Sequence, residues 1–188
     1  MKQKKCNSVF TDNDFNSSDG MLTSVWGPSM WHCLHTISFN YPVNPTSKDK
    51  NNYYKFFRSL ETILPCKYCR DNLKKNYDVI NFSMDCMENR DTLSKAIYNL
   101  HEEVNSMLLK KSNLTFEEVR NRYELFRSRC LEPNSDKKAN VVKKSKKEKG
   151  CVKPLYGVKS KCVINIVPKT KKCKSFTIDK RCRLKRKI

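Results

Sequence analysis

The fold class is decided by residues 91–108, which read DTLSKAIYNLHEEVNSML. Apolar residues recur here at intervals of three and four, which places them on one face of an α-helix. Asp91 stands just before this stripe and is a plausible N-cap, because its carboxylate can accept from the first main-chain N–H groups. The spacing predicts a long amphipathic helix that buries Leu93, Ala96, Ile97, Leu100, Val104 and Leu108.

Three further helices are predicted on the N-terminal side of this one. The first has Pro28 in its first turn and is stopped by Pro42. The second ends at Pro65, and the third runs from Cys66 to about Tyr77. Apolar residues of the second helix again follow helical spacing; they are Tyr53, Phe56, Phe57, Leu60, Ile63 and Leu64.

A last helix is predicted after residue 114. Thr115 and Glu118 have the spacing of a capping box, and Val119, Tyr123 and Phe126 should point inward. No segment within residues 25–130 alternates as a strand would. The sequence therefore predicts an all-α bundle of about five helices.

Composition divides the chain into three parts. Residues 1–24 are rich in Asn, Asp and Ser and are expected to form a flexible leader, and residues 25–130 form the domain. Residues 131–188 hold 20 Lys+Arg against 4 Asp+Glu, so most of the net charge of +20 lies in this basic tail, which is expected to be disordered. Such a tail attracts nucleic acid or an acidic partner protein, although a lysine run is also an ordinary solubilising linker.

The sequence shows no evident targeting or membrane segment. The basic start is not followed by an apolar stretch, and no run approaches the ~20 apolar residues of a membrane-spanning helix. We therefore expect a protein made in the cytosol, without a membrane span and not secreted. Its 10 cysteines then favour redox or metal chemistry over a secreted disulfide scaffold.

The strongest chemical signal is the motif Cys66-Lys67-Tyr68-Cys69. It follows a proline at the start of a predicted helix, where main-chain N–H groups and the helix dipole should stabilise a thiolate. Lys67 and Arg70 add positive charge. A lowered thiolate pKa would suit the pair to thiol–disulfide exchange.

A zinc site is the alternative interpretation of this motif, and it needs two further ligands. Cys86 is not followed by a second CxxC, and His101 lies on a helix that carries core residues. No metal site is therefore predicted. The rival from another functional class is a basic module that binds zinc or nucleic acid.

A thiol pair that cycles must pass its electrons on, and thiols react poorly with oxygen without a cofactor. Trp31 and His35 are one helical turn apart, and so are His101 and Asn105, with Lys110 beyond them. These residues are candidates for a flavin site. The alternative is core packing, since a histidine on an apolar face is more often a satisfied core residue.

Taken together, three blocks of sequence resemble the Erv/ALR family of FAD-linked sulfhydryl oxidases. They are WGPSMWHCLH (26–35) with Tyr41 and Pro42, LPCKYC (64–69), and LHEEVN (100–105) with Lys110. A fainter block, VRNRY (119–123), follows, so the resemblance covers about residues 25–127. It implies a helical bundle that binds FAD near the CxxC, usually as a homodimer. It also implies that two protein thiols and oxygen are converted into a disulfide and hydrogen peroxide.

The resemblance also implies roles for individual residues. Cys69 corresponds to the flavin-proximal cysteine, and Cys66 to the cysteine that exchanges with substrate. Arg122 would help to hold the phosphates, which its planar guanidinium suits. The implied FAD contacts are Gly27, Trp31, His35, Tyr41, His101, Val104, Asn105, Lys110, Arg122 and Tyr123.

Three positions depart from the family pattern. Glu102 stands where the family usually has Asn, which affects one adenine contact. Tyr98 and the stretch near Thr115 occupy the regions that a structural disulfide joins in many members, so that disulfide is expected to be absent. Tyr123 stands where Trp is common, and its ring could still stack.

Family members often carry a second cysteine pair on a flexible arm. The candidates here are Cys6, Cys151, Cys162, Cys173 and Cys182, but none forms a CxxC, and unpaired thiols are an equal alternative. Cys33 and Cys86 are expected to pack in or beside the bundle.

Members of the family occur in the mitochondrial intermembrane space, in secretory compartments and in large cytoplasmic DNA viruses. A short domain rich in Asn and Lys is more similar to the viral members, which implies the host cytoplasm or the virion. The mitochondrial intermembrane space is the alternative.

Overall fold

The computed structural model describes residues 11–17, 20–131 and 150–155. All five predicted helices are present, together with one short helix before them, so the all-α prediction is confirmed. The helices are α1 (Asp12–Asn16), α2 (Thr23–Phe39), α3 (Ser47–Ile63), α4 (Lys67–Val79), α5 (Arg90–Met107) and α6 (Phe116–Glu124). A short 3-10 helix, Met84–Met87, precedes α5, and strands β1 (Ser128–Leu131) and β2 (Gly150–Pro154) follow α6.

The chain divides into two compact units, Met1–Asn113 and Leu114–Ile188. In the first unit, α2 packs on α5, α3 packs on α4, and α4 also contacts α5. Removing large apolar side chains from water contributes about 1.5–3 kcal/mol each, which holds these helices together. The buried core consists of Leu34, Tyr41, Phe57, Leu60, Leu64, Leu73, Tyr77, Phe82, Met87, Leu93, Ala96, Ile97 and Leu100.

The predicted N-cap of α5 is wrong by two residues. Asn89, not Asp91, caps the helix: its side chain accepts from the N–H groups of Asp91 and Thr92 at 2.8 and 3.0 Å. The Thr92 hydroxyl accepts in return from the Asn89 N–H at 3.0 Å. This reciprocal capping box fixes the start of the helix that carries half of the candidate site.

Several helix ends also differ from the predictions. Helix α2 begins at Thr23, so Pro28 lies inside it and not in its first turn. Leu108 caps the end of α5 and is exposed, because the helix stops before its stripe is complete. Phe126 lies past the end of α6 and is exposed, while Val119 and Tyr123 are half-buried.

The two cysteines outside the motif differ from each other. Cys33 is exposed on α2, contrary to the prediction that it packs in or beside the bundle. Its neighbours Leu34 and His35 take the buried face of the helix. Cys86 packs against the core, as predicted.

The second unit contains α6 and a two-stranded antiparallel sheet of β1 and β2. The Cα atoms of Cys130 and Cys151 lie opposite each other in this sheet, and Cys151 takes part in a disulfide. Strand β2 belongs to the tail that was expected to be disordered. Cys6, Cys162, Cys173 and Cys182 lie outside the described residues. Within the described part of the chain, no helix has the length and apolar character needed to cross a membrane.

Candidate functional site

The two motif cysteines lie at the junction between α3 and α4. Leu64 caps α3, Pro65 follows, and Cys66 has an extended main chain with φ −154° and ψ 119°. The Cys66 Sγ accepts a hydrogen bond from the Cys69 N–H at 3.3 Å, so the thiol itself caps α4. Both cysteines are half-buried free thiols. The motif therefore stands at the start of a helix, as the sequence predicted, and its two thiols are free.

The pKa of Cys69 is raised, contrary to the expectation of a stabilised thiolate. Burial raises the pKa of the Cys69 thiol, its hydrogen bond and charge interaction with Cys66 raise it further, and Arg70 only partly opposes them. Cys69 packs against the hydrophobic core, where the loss of water disfavours the charged form more than the helix start favours it. Cys69 therefore keeps its proton at neutral pH in the reduced pair.

Residues of the predicted leader pair with the main chain at Cys66. Gly20 forms an antiparallel bridge with Cys66, and the Met21 N–H donates to the Pro65 carbonyl at 2.9 Å. A Cβ atom on Gly20 would lie 2.8 Å from the Pro65 carbonyl oxygen and 3.2 Å from the Cys66 Cα. Only glycine allows so close an approach. Part of the predicted leader therefore lies directly beside the cysteine motif.

Arg70 contacts the leader at a second position, Phe15. Its guanidinium donates to the Leu64 carbonyl at 2.7 Å and to the Phe15 carbonyl at 3.1 Å, and lies 4.3 Å from the centre of the Phe15 ring. Phe15 belongs to α1, which begins with a capping box of Thr11 and Asp14. Sequence reasoning missed Gly20 and Phe15, because one glycine and one aromatic residue in a polar segment are weak signals.

The predicted cofactor residues of α2 and α5 come together where these helices pack. His35 Nε2 and His101 Nδ1 are 3.0 Å apart. The Trp31 indole stacks on the His101 ring, with centroids 4.1 Å apart and an angle of 6° between planes. One ring nitrogen of the His35/His101 pair must donate and the other accept. Residues predicted from two separate motifs, Trp31 and His35 from one and His101 from the other, therefore form one aromatic cluster.

Both imidazoles of this cluster are neutral at pH 7. Burial lowers the pKa of His35 to about 3, with smaller contributions from His101 and His32. Burial also lowers the pKa of His101 to about 4, which Glu102 opposes and Lys110 reinforces. Desolvation decides both shifts, because a charged imidazolium would lose its hydration without gaining a counter-ion of equal strength.

Three more predicted contacts lie along or just beyond α5. The Asn105 Nδ2 donates to Glu102 Oε1 at 3.0 Å, so the residue that departs from the family pattern holds this amide. Val104 is half-buried on the same helix. Lys110 is exposed beyond the end of the helix, and its positive charge lowers the pKa of His101.

Two predicted contacts have very different surroundings. A Cβ atom on Gly27 would meet nothing within 4 Å, so this position borders open space. Tyr41 is fully buried, its hydroxyl donates to the Met87 carbonyl at 2.9 Å, and its ring packs edge-on against Tyr53. These contacts give Tyr41 a role in the core, and its contact with FAD stays a prediction.

Arg122 and Tyr123 lie on α6 in the second unit. Burial raises the pKa of Tyr123, and its ring packs edge-on against Phe126 with centroids 5.5 Å apart. The predicted contacts of both residues with FAD stay predictions. Among the residues that the structure describes, no group of three or more His, Cys, Asp or Glu side chains could hold a metal ion.

The α2/α5 cluster fits a flat heteroaromatic group that also carries negative charge, as FAD does. Trp31 and His101 present parallel, uncharged rings, which suit stacking. Gly27 leaves space on α2, and Lys110 supplies a cation near His101. With their centroids 4.1 Å apart, Trp31 and His101 leave no room for a third ring between them, so a ligand ring would stack on an outer face.

Comparison with known proteins points to one family. The model of the Erv1/Alr family matches residues 28–124. A protein of Acanthamoeba polyphaga mimivirus, named Probable FAD-linked sulfhydryl oxidase, is 36% identical over 99 residues, which cover 53% of this chain and 68% of that protein. The mitochondrial FAD-linked sulfhydryl oxidase of Saccharomyces cerevisiae is 30% identical over 84 residues, which cover 45% of this chain and 43% of that protein. The chain therefore spans less than half of the yeast protein.

A solved structure shares the fold. The crystal structure of a double cysteine-to-serine mutant of Erv1 from Saccharomyces cerevisiae superposes with a TM-score of 0.50 at 22% identity. The match covers 62% of this chain and 95% of that one. At this identity the likeness concerns the helical architecture alone.

Gly20→Ala is expected to separate the leader from the CxxC junction, because the new methyl group would meet main-chain atoms that cannot rotate away. We expect the free energy of unfolding to fall by about 1–3 kcal/mol and the Met21 amide to exchange faster with deuterium. Gly27→Ala is the control, since its Cβ meets nothing within 4 Å. Unchanged protection of Met21 in Gly20→Ala would contradict the close approach.

The buried histidines should make the folded protein less stable in acid. Their folded-state pKa values of about 3 and about 4 lie below the ordinary value of 6.5. The two histidines therefore contribute fully to the free energy of unfolding above pH 6.5, and this contribution is lost as pH falls toward about 4. For each histidine we expect the free energy of unfolding to fall by at most about 1.4 kcal/mol for each pH unit.

This pH dependence can be measured from thermal unfolding between pH 6.5 and about 4. The stability of the double variant His35→Gln/His101→Gln should depend less on pH than the stability of the parent protein. His32→Gln, which changes the only other histidine of the chain, should keep most of the slope. Equal slopes in the parent and the double variant would show that the pair does not titrate in this range.

Proposed function

This chain belongs to the Erv1/Alr family, and we propose on that basis that it is an FAD-linked sulfhydryl oxidase acting through Cys66 and Cys69. The observation that carries the proposal is the free cysteine pair at the start of α4, within the matched residues 28–124. The substrates are protein thiols, the electron acceptor is oxygen, and the product besides the disulfide is hydrogen peroxide.

Substrate oxidation proceeds by thiol–disulfide exchange. A substrate thiolate attacks the Cys66 Sγ of the oxidised pair, and Cys69 leaves with the electrons of the broken S–S bond and takes up a proton. A second substrate thiolate attacks the substrate sulfur of the mixed disulfide, which forms the substrate disulfide and releases Cys66. The pair then carries the two electrons, together with two protons.

The surroundings of the two sulfurs support this division of roles. Cys69 packs against the core cluster, against which Trp31 also packs, whereas Cys66 caps α4 beside Gly20. Bound FAD would supply a two-electron acceptor that reoxidises the pair and passes the electrons to oxygen. The raised pKa of Cys69 keeps its proton in place until that reoxidation.

The residues that would hold FAD are drawn mainly from the α2/α5 cluster. Trp31 or His101 would stack on a ring of the cofactor, and Lys110 and Arg122 would balance phosphate charge. Support comes from the neutral parallel rings and the open space at Gly27. His35, Tyr41, Val104, Asn105 and Tyr123 complete the proposed set.

The proposal extends to assembly and location. The oxidase domain spans residues 25–130 and forms a homodimer, as the family resemblance implies. The likeness to a mimivirus protein supports a viral protein that acts in the host cytoplasm or the virion, with the mitochondrial intermembrane space as the alternative. The basic tail, residues 131–188, would contact an acidic partner or nucleic acid through its charge.

Cys66→Ser and Cys69→Ser should each lower the oxidation of dithiothreitol by roughly two orders of magnitude or more, because a disulfide within the pair needs both sulfurs. Oxygen consumption and hydrogen peroxide formation by the flavin-loaded protein measure this loss. Cys33→Ser changes an exposed cysteine of α2 and should retain activity. A Cys66→Ser protein with full turnover would refute the proposed mechanism.

Trp31→Ala and His101→Ala should weaken the retention of FAD, because each removes one ring of the stack. At a hundredfold excess over Kd, a bound ligand stabilises the folded state by about 2.7 kcal/mol, so the rise in Tm that FAD causes should shrink in both variants. Visible absorbance reports flavin content. Met107→Ala changes an exposed residue of α5 and serves as the control. Undiminished retention in the two variants would assign these rings to core packing.

A further inference from the structure

Four exposed apolar side chains belong to residues next to the main-chain bridge at Cys66. They are Met21, Leu22, Ile63 and Tyr68, here called the apolar rim, and they are between 62% and 68% exposed. Ile63 follows the apolar spacing of α3, yet it lies at the surface. Large apolar side chains that gather at one place on a surface mark an interaction site more often than chance exposure.

Main-chain contacts bring the two halves of the rim together. Ile63 and Tyr68 lie three residues before and two residues after Cys66. Met21 and Leu22 directly follow Gly20, which forms the antiparallel bridge with Cys66. All four rim residues therefore lie within three residues of the bridge that joins the leader to the redox motif.

The basic side chains of the motif already have partners. The Lys67 Nζ lies 2.8 Å from the Asp71 carboxylate. The Arg70 guanidinium donates to the carbonyls of Leu64 and Phe15. Lys67 and Asp71 remain at the surface as an ion pair, so apolar contact with the rim is a further means by which the surroundings of Cys66 can distinguish one thiol from another.

The exchange chemistry fixes which part of a substrate meets the rim. A mixed disulfide with Cys66 brings the two sulfurs to about 2.05 Å, so the residues that flank the substrate cysteine must lie against the side chains around Cys66. An extended segment advances about 3.3 Å per residue, which brings about two residues on each side of that cysteine within reach.

We propose that the apolar rim selects protein substrates whose cysteine lies in an extended segment between apolar residues, an inference that rests on the proposed oxidase function. Folded proteins bury most such segments, whereas chains that have not finished folding expose them. The substrate class is therefore the incompletely folded protein, oxidised before its cysteines are buried.

The test compares two reduced peptides that each contain two cysteines. Leucine flanks the cysteines in one peptide, and serine replaces every leucine in the other. The flavin-loaded protein should oxidise the leucine peptide with a kcat/KM about tenfold higher, mainly through a lower KM, because burying one or two leucines gives about that factor. Ile63→Ser/Tyr68→Ser should bring the ratio of the two kcat/KM values close to one.

Val79→Ser is the matched control. Val79 is 61% exposed and ends α4, roughly three turns from Tyr68, so the ratio should remain at its original value. The same peptides with serine in place of cysteine give a readout without turnover: fluorescence anisotropy should show weaker binding of the leucine version to the double variant. Visible absorbance shows that each protein carries flavin.

The outcomes separate the two proposals. A parent protein that oxidises dithiothreitol but treats both peptides alike would overturn the substrate class alone. A ratio that survives in Ile63→Ser/Tyr68→Ser, or that Val79→Ser also abolishes, would overturn the assignment to the rim. A flavin-loaded parent protein that oxidises neither dithiothreitol nor a peptide would overturn the oxidase function, and the substrate class with it.

Discussion

The main chain of Cys66 is extended, and the arrangement around the pair Cys66 and Cys69 depends on that conformation. It separates α3 from α4 and lets the Cys66 sulfur accept from the Cys69 N–H one turn later. It also offers Gly20 a strand-like partner, which a residue inside a helix could not, because its main-chain groups would bond along the helix. One conformation therefore places the two sulfurs and holds the leader beside them.

At Cys69 two electrostatic effects compete, and burial is the larger. The first turn of α4 offers N–H groups and the positive end of a dipole, which together are usually worth about 0.3–1 kcal/mol at a surface. Packing against the core removes water from the thiol, and the neighbouring Cys66 adds to the cost of a negative charge. The Cys69 sulfur, which packs against the core, is thus suited to hold a proton.

Local patterns in the sequence were sufficient to predict helices α2 to α6 and the cysteine motif, but not α1, which lies in the segment expected to be a flexible leader. Helix ends were predicted less well, because Asn89 and Asp91 are both acceptable caps and only the packed chain decides between them. The sheet of β1 and β2 was not predicted, since β1 has only four residues and no local signal links it to a partner strand that begins 19 positions after its last residue. A short strand is defined by its pairing, which periodicity does not reveal.

Contacts between distant residues were the other part that sequence could not supply. The His35/His101 pair joins residues 66 apart, and the Tyr41 hydroxyl reaches the Met87 carbonyl over 46 residues. Family resemblance placed His35 and His101 in one site but did not predict that they bond directly to each other or that both are neutral. Tyr41 was placed in the same set, although its described contacts are those of a core residue.

Glu102 shows how a departure from the family pattern is accommodated within the helix. Its carboxylate accepts from the Asn105 Nδ2, three residues along α5, and thereby fixes the orientation of that amide. Glu102 also raises the pKa of His101, but burial outweighs this effect, so the ring stays neutral. An acidic residue can therefore replace an amide here without charging the histidine that stacks on Trp31.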